Sequence, residues 1–138
     1  MLSKWDERYL DLAAHVSTWS KDPSTKVGAV LISNNHVVSL GFNGFPYAID
    51  DNDRLNDRSI KYEMIIHGEI NALLNVDGRA FDTLYTHPFL PCSRCAAIYL
   101  QAGIMRVVAP RNTDPRWAEN LELTKSMFTE AGVDFLEV

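Results

Sequence analysis

Cysteine is scarce in this chain. There are two in 138 residues, Cys92 and Cys95, both in one short stretch. That count excludes a disulfide-built scaffold, and inside a cell a C-x-x-C pair is more often a metal or redox pair than a bridge. Long apolar runs are also lacking. No segment approaches the roughly 18–20 residues of a membrane span, and the opening MLSKWDERYLDLAAH has no signal-peptide core. The expectation is a soluble, cytoplasmic protein without a membrane partner. Basic charge is short as well: 13 Lys and Arg stand against 18 Asp and Glu, for a net charge of −5. No basic cluster stands out, which argues against a nucleic-acid polymer as partner. A small anionic ligand needs only one or two cations and stays compatible with this balance. Phosphate-cradling glycine loops, repeats and low-complexity linkers are absent too.

What is present is an ordinary globular composition, 46% hydrophobic and 22% charged, in a length that suits one domain over residues 1–138. Trp5, Tyr9, Leu12, Ala13, Val16 and Trp19 fall on one face of a helix over residues 5–19. Two apolar runs, 27–32 and 37–42, flank Asn34-Asn35 and read as a β-hairpin. Residues 43–57 carry Gly, Pro, Asp and Asn and read as one long loop, a feature often tied to function. Helix 65–76, strand 83–86, helix 95–102, strand 106–109, helix 117–131 and strand 133–138 follow, with Gly103 and Gly132 as helix stops. This alternation favours an α/β/α sandwich: one mixed sheet of roughly five strands with helices on both faces. In open α/β sheets a site lies where strands end and helices begin, and His67 and Cys92 both fall at such helix starts.

Three potential ligands then converge. Cys92 and Cys95 sit at i and i+3 on a first helical turn, where the helix terminus favours thiolates. With His67 they make a three-ligand zinc site with an open fourth position, the arrangement of catalytic rather than structural zinc. Glu69, two residues beyond His67, flanks such an ion without ligating it and is placed to take a proton from a zinc-activated water. Other readings remain. A thioredoxin-like role expects its C-x-x-C after an early strand, not two-thirds along the chain. A structural zinc module needs a fourth ligand, for which His87 is available. His15 reads as a packing residue on the first helix, and His36 as a solvated turn residue.

The pattern H-x-E…P-C-x-x-C, here HGE from His67 and PCSRC from Pro91, is the signature of zinc nucleobase deaminases. Together with KDPSTKVGAV (21–30), GFNGFP (41–46), HGEINAL (67–73), PCSRCA (91–96) and AGIMRVV (102–108), it resembles the deoxycytidylate (dCMP) deaminases of the cytidine deaminase-like superfamily over nearly the whole chain. The resemblance implies hydrolysis of dCMP to dUMP and ammonia, in pyrimidine deoxynucleotide metabolism, and leaves dCTP open as a second substrate. It makes His67, Cys92 and Cys95 the zinc ligands and Glu69 the proton shuttle. Free N–H groups at Gly68 and Glu69 would meet the base carbonyl, and Asn43 would contact the sugar. Ser24 and Lys26 are the phosphate candidates, with Arg111 behind them. Family members are often hexamers under dCTP and dTTP control. The resemblance therefore also implies a homo-oligomer, with Gly44, Phe45 and Pro46 in an effector loop and Mg2+ accompanying a triphosphate effector. Gly68 stands where alanine is more usual, and the extra Cys and His of a second zinc are not here. Other small-molecule deaminases and tRNA adenosine deaminases share the zinc signature and remain alternatives.

Overall fold

The computed structural model describes residues 2–138. Helix α1 (Lys4–Ser17) opens the chain and is nucleated by a capping box, in which Ser3 accepts from the Asp6 N–H and Asp6 accepts from the Ser3 N–H. A hairpin follows, β1 (Gly28–Ser33) and β2 (His36–Phe42), turned by Asn34 and Asn35 at positive φ. After α2 (Arg58–Met64) and α3 (Gly68–Asn75) the chain alternates: β3 (Thr83–His87), α4 (Ser93–Gln101), β4 (Arg106–Ala109), α5 (Ala118–Ala131) and β5 (Asp134–Glu137). The five strands form one sheet in the order β2-β1-β3-β4-β5. β1 runs antiparallel to both neighbours, whereas β3, β4 and β5 are parallel, so the sheet is mixed.

Period-two alternation assigns the two faces. Ala29, Leu31, Leu84 and Val107 point to one side, where they pack with Ala72, Ala96, Tyr99 and Phe128 of α3, α4 and α5. Val30, Ile32, Tyr85 and Val108 point to the other, where Tyr9, Leu10 and Ala13 of α1 cover them. A strand buried on both faces reads as a continuous apolar run, which is why GAVLI carries no polar interruption. The α/β/α sandwich expected from the sequence is the observed architecture.

Two differences from the sequence-based expectation shape the ends of the elements. The long loop ends in structure: a 3₁₀ turn at Asp53–Asn56 leads into α2, whose Asp57 cap accepts from the Ile60 N–H. The helix expected from residue 65 begins at Gly68 instead. Ile66 exchanges two backbone hydrogen bonds with Gly44, 2.8 and 3.1 Å, and this bridge holds residues 65–67 extended. His67 is thereby pinned beside the end of β2 and becomes the N-cap of α3.

Helix α3 also seals the free edge of the sheet. The Asn71 and Asn75 side chains, one turn apart, donate to the Phe42 and Leu40 carbonyls of β2 at 2.8 and 3.3 Å. Edge carbonyls capped this way offer less to a stray strand. The approach is close enough to require glycine at position 41, where a Cβ would collide with the Ala72 N–H and the Gly68 carbonyl.

Candidate active site

The site is assembled where two helices start. His67 caps α3 and Cys92 caps α4, and neither uses its side chain for capping, so both are free for other work. His67 Nδ1 lies 3.2 Å from Cys95 Sγ and 3.5 Å from Cys92 Sγ. The ligand atoms of His67, Cys92 and Cys95 all lie within 4.8 Å of one another, and among the described residues they are the one group of His, Cys, Asp and Glu side chains so arranged. His87, at the end of β3, does not join them. The four-ligand structural arrangement therefore lacks its last donor.

Electrostatics agree with a cation-binding role. Cys92 is drawn below the ordinary thiol range, chiefly because the Cys95 thiol donates to its sulfur. Cys95, as that donor and buried, is pushed the other way. His67 is raised, first by its hydrogen bond with Cys92. An imidazole and two sulfurs, one of them drawn towards its thiolate form, make a donor set suited to a divalent ion such as zinc.

Glu69 stands at the first turn of α3 and is only 4% exposed. Burial lifts its carboxyl to about 7, against the pull of His67 in the opposite direction. Its backbone carbonyl is held by Tyr99 of α4, whose hydroxyl donates at 2.5 Å. That bond ties the helix bearing His67 to the helix bearing both cysteines.

A pocket opens over these groups. His67, Glu69 and Cys92 lie along it, Phe89, Trp117 and Leu121 give it an apolar wall, and Ser24, Thr25 and Asn43 line it with polar groups. Asn43 is buried and held in place: its Oδ1 accepts from the Val27 N–H at 2.8 Å, and its Nδ2 donates to the Thr25 carbonyl and to Asp22, which leaves one acceptor site on Oδ1 unused. Gly68 packs against Val27 and Asn43, where an added Cβ would sit 3.1–3.3 Å from its neighbours. Lys26, by contrast, is exposed, donates to the Ser20 carbonyl at 2.6 Å and does not line the pocket. Arg111 is also exposed and outside it.

The chain matches the family model described as "Cytidine and deoxycytidylate deaminase zinc-binding region" over residues 3–110. The chain belongs to this family. Among curated proteins, an uncharacterized deaminase in the luxG 3′ region of Aliivibrio fischeri is 42% identical over 139 residues, covering 97% of this chain and 93% of that one. The deoxycytidylate deaminase of Homo sapiens is 31% identical over 143 residues, covering 96% of this chain and 78% of that one. Among solved structures, the dCMP deaminase of cyanophage S-TIM5, crystallised with dCMP and dUMP, superposes with a TM-score of 0.81 at 24% identity. That superposition covers 100% of this chain and 99% of the phage protein. At that identity the likeness speaks to the fold, and the fold is the same.

Family membership gives the His67, Cys92 and Cys95 cluster a context, yet several pocket residues were not read from the sequence. Lys61 lines the pocket from α2 and makes a buried ion pair with Asp22, 3.1 Å apart, both side chains 5% exposed. Arg116 and Trp117 reach it from the turn before α5. Trp117 Nε1 is, among the described residues, the one buried side-chain polar atom without a hydrogen-bond partner. The signal for Lys61 was a lysine on the inner face of a short helix, masked by its loop-like surroundings. The signal for Trp117 was an aromatic at a helix start. His15 is exposed and edge-on to Trp19, and His36 is exposed at the start of β2.

No helix among the described residues is long and apolar enough to cross a membrane.

Proposed function

We propose that this chain is a zinc-dependent deaminase converting dCMP to dUMP and ammonia. The observation that carries the reading is the convergence of His67, Cys92 and Cys95 within 4.8 Å, beside a buried Glu69, in a pocket wide enough to be lined by aromatic and polar groups together. A single zinc ion held by these three side chains would supply a Lewis acid that makes water nucleophilic near neutral pH.

The protein's part is positional. His67, Cys92 and Cys95 would hold the ion, and a three-ligand set of this kind would leave it able to bind a water as well. Glu69 accepts the first proton that the attacking water gives up and delivers it to N3 of the cytosine ring. It then takes the remaining proton from the new C4 hydroxyl and carries it to the amino group, which leaves as ammonia as the C4 carbonyl forms. A carboxyl near neutrality, poised between donor and acceptor forms, suits both steps. The first N–H groups of α3, at Gly68 and Glu69, lack intrahelical partners and would hold the base carbonyl. Phe89 and Trp117, 5.9 Å apart, give the ring an apolar surface and keep bulk water away. Asn43, locked by three hydrogen bonds, would present a fixed edge to the sugar.

Regulation is a second element of the reading. A neighbouring cavity is lined by Trp19, Lys21, Gly44 and Phe45, and it shares Asp22 and Asn43 with the main pocket. A nucleotide effector seated there, by Gly44, Phe45 and the adjoining Pro46, would press on the two residues that shape the sugar-facing wall. Activity against dCMP with and without dCTP tests this; an unchanged hyperbolic curve removes it.

The deciding experiment offers the purified protein dCMP, dCTP, deoxycytidine and adenosine, follows loss of the amino group by absorbance, and measures zinc per chain. Selective turnover of dCMP with about one zinc per chain is expected. Turnover of adenosine alone would replace the substrate reading.

A further inference from the structure

We infer that Arg116 is the side chain that selects a phosphorylated nucleotide over the free nucleoside. This inference rests on the proposed dCMP deaminase reading and names the residue that meets the 5′-phosphate.

Two cations line the main pocket, Lys61 and Arg116. They differ in what each would lose by turning to a phosphate. Lys61 is buried, and its ammonium is committed to Asp22 at 3.1 Å. Drawing it away would strand the Asp22 carboxylate in a site that is 5% exposed, a heavily penalised arrangement. Asp22 is also occupied elsewhere. It accepts from the Ser24 N–H at 2.8 Å and the Asn43 amide at 3.3 Å, so the loop and the pocket wall depend on its staying where it is. Lys61 is therefore a strut.

Arg116 is in the opposite situation. Its guanidinium is half exposed and meets Asp114 through Nη2 at 2.7 Å and through Nε at 3.1 and 3.2 Å. An exposed pair of that kind contributes little, so a competing anion displaces the carboxylate at small cost. A guanidinium fork is also the group best matched to two phosphate oxygens at once. Its backbone is held in readiness. The Arg116 N–H donates to Asp114 Oδ1 at 2.9 Å, and Asn112 braces the same turn by accepting from the Asp114 N–H at 3.0 Å. Trp117, next in the chain, is packed on Phe89 in the apolar wall. The guanidinium is thus mounted on a fixed turn at the pocket and held by a partner it can exchange.

The test compares the zinc-loaded parent with Arg116→Gln, Arg116→Lys and Lys26→Gln, each assayed on dCMP and on deoxycytidine. In parallel, calorimetry measures dUMP and deoxyuridine binding. For Arg116→Gln we expect KM for dCMP to rise about 10- to 100-fold with kcat little changed, and dUMP binding to weaken by a similar factor. Its kcat/KM for deoxycytidine and its affinity for deoxyuridine should match the parent. Arg116→Lys, which keeps charge but not the fork, should recover part of the loss. Equal losses on nucleotide and nucleoside, or undiminished dUMP binding, overturn the assignment. So does a phosphate-selective loss in Lys26→Gln while Arg116→Gln behaves as the parent. If the parent deaminates dCMP, such results remove only the role of Arg116. If it deaminates no cytosine compound, the underlying reading fails and takes this inference with it.

Discussion

The Tyr99 hydroxyl, fully buried in α4, donates a 2.5 Å hydrogen bond to the backbone carbonyl of Glu69 in α3. The bond spans the two helices whose starts carry His67 and Cys92, the proposed metal ligands. Its loss should therefore be felt at the metal as well as in stability. Tyr99→Phe keeps the ring and its contact with Phe81. It should cost about 1 kcal/mol in denaturant unfolding of the metal-free protein. It should also release zinc to a chelator at lower chelator concentration than the parent. Equal zinc retention with the same drop in stability would make the bond a matter of packing alone.

In the proposed reaction Glu69 is the proton carrier. Glu69→Gln preserves shape and removes the ability to accept and return a proton. Activity on dCMP should fall by about 10²–10⁴-fold, while zinc content and the unfolding temperature stay near those of the parent. Metal analysis beside the assay separates the two effects. A Gln variant that turns over as fast as the parent would leave the carboxylate without a role.

The buried Asp22–Lys61 pair makes a prediction about additivity. Removing either partner alone leaves the other charge unpaired in a site that is 5% exposed, at a cost of about 3–5 kcal/mol. Lys61→Met and Asp22→Asn should each destabilise the protein strongly, and the double variant should be less destabilised than the sum of the two. Urea unfolding of all four proteins gives the coupling energy. A simple sum would mean that the two charges do not depend on each other.

How far the sequence reached depends on whether a feature is local. The Asn34-Asn35 turn and the β4 segment at residues 106–109 follow from turn chemistry and periodicity within a few residues, and they appear where expected. The expected α1 face is only partly right: Tyr9, Ala13 and Val16 are buried, but Trp5 and Trp19 are exposed and the helix ends at Ser17, before Trp19. The His67, Cys92 and Cys95 cluster was legible because ligand chemistry restricts residue type and spacing. What stayed hidden depends on contacts between distant segments. The Gly44–Ile66 bridge delays α3 by three residues, and nothing between residues 65 and 67 announces a partner more than twenty positions earlier. Lys61 and Asp22 are thirty-nine positions apart, and α2, seven residues long, is too short to show a period clearly. Lys26 carries the right charge in a matching motif, but its side chain turns to the Ser20 carbonyl, a choice that depends on how the loop closes.

Acid should weaken the face of the sheet opposite the α3–α4 site. Asp6 of α1 is 3% exposed and accepts from Arg106 of β4 at 2.7 and 3.0 Å and from the Tyr85 hydroxyl at 2.5 Å. Arg106 holds its carboxyl well below the ordinary 3.8. The folded state therefore binds its proton less readily than the unfolded chain does. The resulting stabilisation is complete above the unfolded value and is lost as pH falls below about 4 towards the folded value. Tyr85 is raised by burial and by Asp6, and so stays neutral throughout this range. The exposed Asp134 carboxylate, 3.5 Å from Arg106, adds little. Asp6→Asn should cost about 3 kcal/mol at neutral pH, where it breaks a mostly buried pair. The gap between parent and variant in urea unfolding should be constant from pH 7 to 5 and should shrink steadily from pH 4 to 3. A gap that does not change across that interval would show that the carboxylate charge contributes nothing to holding α1 on the sheet.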